Sequence, residues 1–121
     1  MKRIILILSV FVLLVASAAY AAPPLAEIDP IPNQVFEGVG TYTYQATYTT
    51  YEPECLARAT FSLVDGPAGM TITSNGYISW TGPGWGGNWD VEIKLFAMSD
   101  CLHIGSYTDY ESFTLYCQNN C

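Results

Sequence analysis

Chemistry in this 121-residue chain would have to come from a short set of side chains. His103 is the single histidine, and with the surrounding serines and aspartates it could be assembled into a Ser-His-Asp relay. Such a relay presents its nucleophile on a sharp Gly-x-Ser-x-Gly turn, and the chain contains none, so no catalytic residue is assigned. Carboxylates occur in near pairs, Glu52 with Glu54 and Asp109 with Glu111. Glycoside hydrolysis needs two carboxyls facing each other across a cleft, whereas close neighbours on one loop read as solvated charge. Calcium wants about six to eight oxygens from converging acids and carbonyls. Glu37, Asp100 and Asp109 are the candidates, and the tail Cys117-Gln118-Asn119-Asn120-Cys121 carries no acid to complete a shell. No metal or other cofactor is therefore expected, calcium being the one ion these acids could serve.

Cysteine and aromatic side chains offer two further chemistries. Cys55, Cys101, Cys117 and Cys121 contain no Cys-x-x-Cys pair, which argues against zinc and for disulfides. Trp80, Trp85 and Trp89 bracket a glycine-rich stretch, Gly82 to Gly87, where a tryptophan could stack on a sugar. Trp80 and Trp89 fall on inward strand positions, which leaves Trp85 exposed. At the opposite end, Tyr51, Tyr107 and Tyr110 accompany Glu52, Glu54 and Asp109, and tyrosine-rich loops are common recognition surfaces. Tyr51, Glu52, Trp85 and Tyr107 are the expected binding residues.

The elements that must position these groups follow from patterning. Lys2 and Arg3 precede an apolar run, Ile4 to Val15, and the small-residue ending Ala19-Tyr20-Ala21. That is the form of a secretory signal peptide over residues 1–21, too short in its apolar part for the ~20 residues a spanning helix needs. The expected mature unit, residues 22–121, is one secreted domain, extracellular or periplasmic, with no membrane span. The whole chain carries a net charge of -7, and loss of Lys2 and Arg3 leaves only Arg58 and Lys94 against eleven acidic residues. Nucleic acid, which demands clustered Lys and Arg, is excluded as a partner.

Within the mature unit every periodic stretch has a period of two. Leu25 to Val35, interrupted by Pro30 and Pro32, suits an edge strand or an entering segment that cannot donate a full ladder. Thr41 to Tyr48 alternates tyrosine and alanine with threonine and glutamine, giving one strand with one buried face. Thr49 to Ala57 reads as a loop. Phe61 to Trp80 reads as three strands, with Asp65-Gly66-Pro67-Ala68-Gly69 as one turn and Asn75-Gly76 as a two-residue hairpin. Trp89 to Met98 turns Trp89, Val91, Ile93, Leu95 and Ala97 inward and Asp90, Glu92 and Lys94 outward. Ser99 to Asp109 is a polar loop, and Tyr110 to Cys117 is the last strand. About seven short strands with turn chemistry between them predict an all-β, immunoglobulin-like antiparallel sandwich. In that topology the loops holding Cys55 and Cys101 emerge at one end. Cys117 lies roughly 26 Å farther along a strand, beyond the reach of about 14 Å that the tail gives Cys121. The expected bridges are Cys55–Cys101 and Cys117–Cys121.

The chain also resembles a known family. Ile31-Pro32-Asn33-Gln34-Val35-Phe36-Glu37-Gly38, Tyr42-Thr43-Tyr44, the run from Phe61 to Ile72, Gly76 to Thr81, Asp90 to Ile93 and Ser112 to Leu115 occur in the order seen in Ig-like domains related to the dystroglycan-type cadherin-like domains. The resemblance implies a cadherin-like sandwich and a role in adhesion, spacing or carbohydrate-related binding. Two departures stand out: the unit is single, and Tyr51-Glu52-Pro53-Glu54-Cys55 replaces an acidic loop. The expected function is a secreted, non-catalytic binding or surface-assembly module whose partner is an extracellular protein or glycan. A carbohydrate-binding module using loop aromatics is the alternative, and a small secreted hydrolase built on His103 is a distant third.

Overall fold

A computed structural model describes residues 24–36, 40–102 and 104–118. The expected signal peptide, Glu37, His103 and Cys121 lie outside the described residues. The rest is all-β, as expected. Its strands are β1 (Ala26–Ile28), β2 (Gln34–Phe36), β3 (Thr41–Gln45), β4 (Tyr48–Thr50), β5 (Leu56–Asp65), β6 (Thr71–Ile72), β7 (Tyr77–Thr81), β8 (Gly87–Ser99) and β9 (Tyr107–Cys117), with a short 3-10 turn over Pro53–Cys55. They form a four-stranded sheet in the order β2-β9-β8-β5, a three-stranded sheet β3-β7-β6 and a two-stranded sheet β1-β4. All neighbours pair antiparallel except β2, which runs parallel to β9.

Alternation on the long strands makes the core. β8 buries Val91, Ile93, Leu95 and Ala97, and β9 buries Phe113, Leu115 and Cys117. Opposite them stand Tyr42 of β3 and Ile78 and Trp80 of β7, with Ala26 and Ile28 of β1 closing the same cluster. Each fully buried Leu or Ile contributes roughly 1.5–3 kcal/mol by leaving water. Aromatic contacts join the two layers: Trp80 meets Trp89 edge-on at 4.9 Å between ring centroids, and Tyr44 meets Phe113 at 6.3 Å. The Trp80 indole N–H donates to the Ala68 carbonyl at 3.1 Å. The turn after β5 thereby satisfies the one polar atom this side chain carries into the core.

Nine strands are described where about seven were expected, because two stretches divide and change sheets. Pro30 and Pro32 cannot donate to a ladder, so the chain leaves β4 after Ile28 and rejoins as β2 beside β9. Likewise Thr41 to Tyr48 is not one strand. The amide of Ala46 donates to the Gly76 carbonyl at 2.8 Å, which ends the pairing with β7, and Tyr48 begins pairing with β1. Tyr48 consequently lies exposed rather than inward, resting its ring near Phe61 at 6.0 Å. The Asn75-Gly76 turn also differs from the expected two-residue form. Gly76 alone has positive φ there, the Gly76 amide donates to the Thr73 carbonyl, and the amide and carbonyl of Thr73 and Tyr77 meet across a three-residue loop. This is a type I turn with a glycine bulge. A Cβ on Gly76 would stand 2.7 Å from the Ala46 carbonyl and 2.9 Å from the Phe61 ring, so the position requires glycine for space as well as for φ.

The bridge Cys55–Cys101 is present, with its Cα atoms 5.2 Å apart. It follows directly on the Leu56↔Ser99 pair of β5 and β8, and the Asp100 amide donates to the Cys55 carbonyl beside it. Cys117 is buried and not free, while the expected pairing with Cys121 lies outside the described residues. Among the described residues no helix is long and apolar enough to cross a membrane.

Candidate functional site

Every inward residue of β8 and β9 leaves an outward neighbour, and these neighbours form one surface. On β8 they are Asn88, Asp90, Glu92, Lys94, Phe96 and Met98; on β9 they are Thr108, Tyr110, Ser112, Thr114 and Tyr116. The register sets Asp90 against Thr114, Glu92 against Ser112, and Lys94 against Tyr110. On the far side of β8, Asp65 of β5 stands opposite Glu92, just past a register shift after Leu63. A shallow groove of about 370 Å³ opens here, with Asn33, Asp65, Asp90, Glu92, Ser112 and Thr114 as its polar lining.

Hydrogen bonds give the groove a defined polarity. The Ser112 hydroxyl donates to Glu92 Oε2 at 3.3 Å, and the Thr114 hydroxyl donates to Asp90 Oδ1 at 3.2 Å. The Thr114 amide donates to Asn33 Oδ1 at 2.9 Å, which extends the β2–β9 ladder by one side-chain rung. The two carboxylates keep free lone pairs toward solvent, because a carboxylate has about four acceptor sites. Aromatic side chains stand beyond the groove along the strands: Tyr110 is 54% exposed and Tyr116 45% exposed. The face is thus acceptor-rich in its middle with ring faces at either side.

The expected binding residues fall elsewhere and not together. Tyr51 is half exposed beside the disulfide end, its hydroxyl 3.4 Å from Glu27 Oε2. The charge of Glu27, with slight desolvation and that hydrogen bond, raises the Tyr51 phenol above its ordinary value. Glu52 accepts the Cys55 amide on its backbone carbonyl, and its carboxylate clusters with that of Glu54 next to Cys55 Sγ. That sulfur is in the bridge, so the group lacks a thiolate for a metal. Tyr107 is not in a loop: it opens β9 opposite Ala97 and packs partly against the core. Trp85 is 65% exposed in the loop before β8. It lies at the opposite end of that 13-residue strand from Tyr51, Glu52 and Tyr107, a separation of roughly 40 Å.

Of the acids weighed for calcium, Asp109 has another duty, which it shares with Glu111. Asp109 Oδ2 accepts the Ile28 amide at 2.8 Å, and Glu111 Oε1 accepts the Ile31 amide at 3.4 Å. Both therefore fasten the N-terminal segment to β9 across the edge of the core. Asp29 is held by the hydroxyls of Thr47 and Thr49 at 2.5 and 2.6 Å, and these bonds, Thr47 first, lower its carboxyl below the usual range. Sequence reasoning passed over the groove itself. Its signal was Asp-x-Glu on the inner strand and Ser-x-Thr on the last one, recognisable as a unit only once the strands are in register. No protein-family model matches the chain, and no curated protein matches it.

Proposed function

We propose that this chain is an exported, non-catalytic binding module with an immunoglobulin-like, cadherin-like sandwich fold, and that it engages an extracellular protein through the outer face of its four-stranded sheet. The observation that carries the reading is that face: acids and hydroxyls from β5, β8 and β9, held in register on rigid strands and flanked by exposed tyrosines. Strand order supports the fold. β5-β8-β9 follows the C-F-G order of immunoglobulin domains, and β1-β4 with β3-β7-β6 follows A-B-E-D. Export is supported by the leader-like N-terminal pattern and by the Cys55–Cys101 bridge, since disulfides persist in oxidising compartments.

A carbohydrate-binding reading rests on a different observation, the exposed Trp85 ring on a glycine-rich loop whose Gly84 adopts positive φ. One experiment separates the two. The oxidised protein is applied to arrays of extracellular proteins and of glycans, together with Glu92→Lys and Trp85→Ala. The binding-module reading expects a protein ligand lost on Glu92→Lys and kept on Trp85→Ala. A glycan ligand lost on Trp85→Ala would replace it with the second reading, and turnover of an ester or glycoside panel would overturn the non-catalytic assignment.

A further inference from the structure

Three acids on the outer face are placed where they repel one another. Asp65 and Glu92 stand directly opposite across β5 and β8, and Asp90 is the next outward residue along β8. Like charges directly opposite in an antiparallel pair destabilise the sheet, and acids two residues apart on one strand share the same face. Hydroxyls of Ser112 and Thr114 donate to Glu92 and Asp90, but a neutral hydroxyl does not cancel a charge. Lys94 follows Glu92 on the same face, opposite Tyr110 and Ser62, and is not among the groove-lining residues. The groove is therefore a site of unbalanced negative charge on a chain of net charge -7.

Resting on the binding reading above, we propose that the outer face of the four-stranded sheet docks an extended, cationic polypeptide segment bearing arginine or lysine. Charge complementarity selects this occupant: a guanidinium in the groove meets carboxylates whose Ser and Thr partners orient them, and charge-assisted bonds to Asp90 and Glu92 relieve the repulsion. Ring faces serve the same chemistry. Tyr110 and Tyr116 are exposed on β9 on either side of the groove, six residues apart, which is roughly 20 Å along a strand. An extended segment of about six residues spans that distance and can lay cationic side chains over both rings. A neutral glycan would leave the unbalanced charge as it is.

The probe is a synthetic peptide of alternating arginine and serine, with a citrulline-serine peptide and a neutral hexasaccharide as comparisons. Affinities are measured by calorimetry on the oxidised protein. The arginine peptide is expected to bind at low salt and to raise the melting temperature. Its affinity should fall several-fold between about 50 and 300 mM salt as screening increases. Asp90→Asn/Glu92→Gln, which preserves shape, should weaken it at least about tenfold, while Glu54→Gln/Asp100→Asn, with the same change in net charge away from the groove, should leave it within about twofold. Absence of binding, equal losses in the two double variants, or tighter binding of the hexasaccharide would each overturn the proposal. If the array ligand is lost on Glu92→Lys while the arginine peptide fails to bind, the binding-module reading stands and only the cationic partner is wrong.

Discussion

Tyr42 carries a polar atom into the core. Its ring is buried and meets Phe36 edge-on at 5.9 Å, yet its buried hydroxyl finds no hydrogen-bond partner among the described residues. Burial, and then the nearby Tyr44 phenol, push its pKa far above the ordinary range. A buried polar atom without a partner costs about 1–3 kcal/mol of desolvation. Tyr42→Phe should therefore stabilise the protein by about 1 kcal/mol, read as a higher urea midpoint with an unchanged slope. A lower midpoint would show that the hydroxyl has a partner in solution. The inward placement of Tyr42 was legible from the alternation of Thr41 to Tyr44. Its orphan hydroxyl was not, because that depends on which groups the opposite layer brings near.

At the scale of elements, β1 is fastened through carboxylates on two sides: Thr47 and Thr49 on the β4 side donate to Asp29, while Asp109 of β9 accepts the Ile28 amide. The Asp29 pKa is lowered in the folded state, so its contribution is complete above the unfolded value of 3.8 and fades as pH falls through the folded value. Thr47→Val/Thr49→Val keeps the strand-forming shape and removes both donors. Its Asp29 carboxyl should titrate closer to 3.8 by carboxyl-carbon NMR, and the variant should lose less stability than the parent between pH 6 and pH 3. Equal losses would mean the hydroxyls do not hold the carboxylate. The proline pair predicted an irregular edge here. That the irregularity is a change of sheet, with Asp109 and Glu111 as fasteners, follows from long-range contacts that local propensity does not encode.

For the whole molecule, a covalent link ties β5 to β8 at one end of the four-stranded sheet. The two cysteines of Cys55–Cys101 are 46 residues apart, and between them lie β5 and β8 of that sheet and β6 and β7 of the opposite one. Closing a loop of that size in the unfolded chain contributes about 4 kcal/mol on the chain-entropy account. This is comparable with the total stability of many small domains. Cys55→Ala/Cys101→Ala should thus lower stability by about 3–4 kcal/mol at neutral pH, measured by thermal or urea unfolding. A loss under about 1 kcal/mol would show that the ladder between Leu56 and Ser99 already holds this end.

Strict alternation along β8 and β9, with glycine, proline and asparagine turns between strands, was enough to determine an all-β chain and which side chains face inward. The Cys55–Cys101 pairing followed from that reading, because it needs only that two loops emerge at one end. The acid groove could not be seen the same way. Asp65, Asp90, Glu92, Ser112 and Thr114 come from three strands, and only the register, including the shift after Leu63, brings them together. Tyr107 left its expected loop for the related reason that ladder pairing extends β9 back to it. Side-chain period is a local property that a sequence carries openly. Which strand lies beside which, and in what register, is settled by the packing of the whole chain.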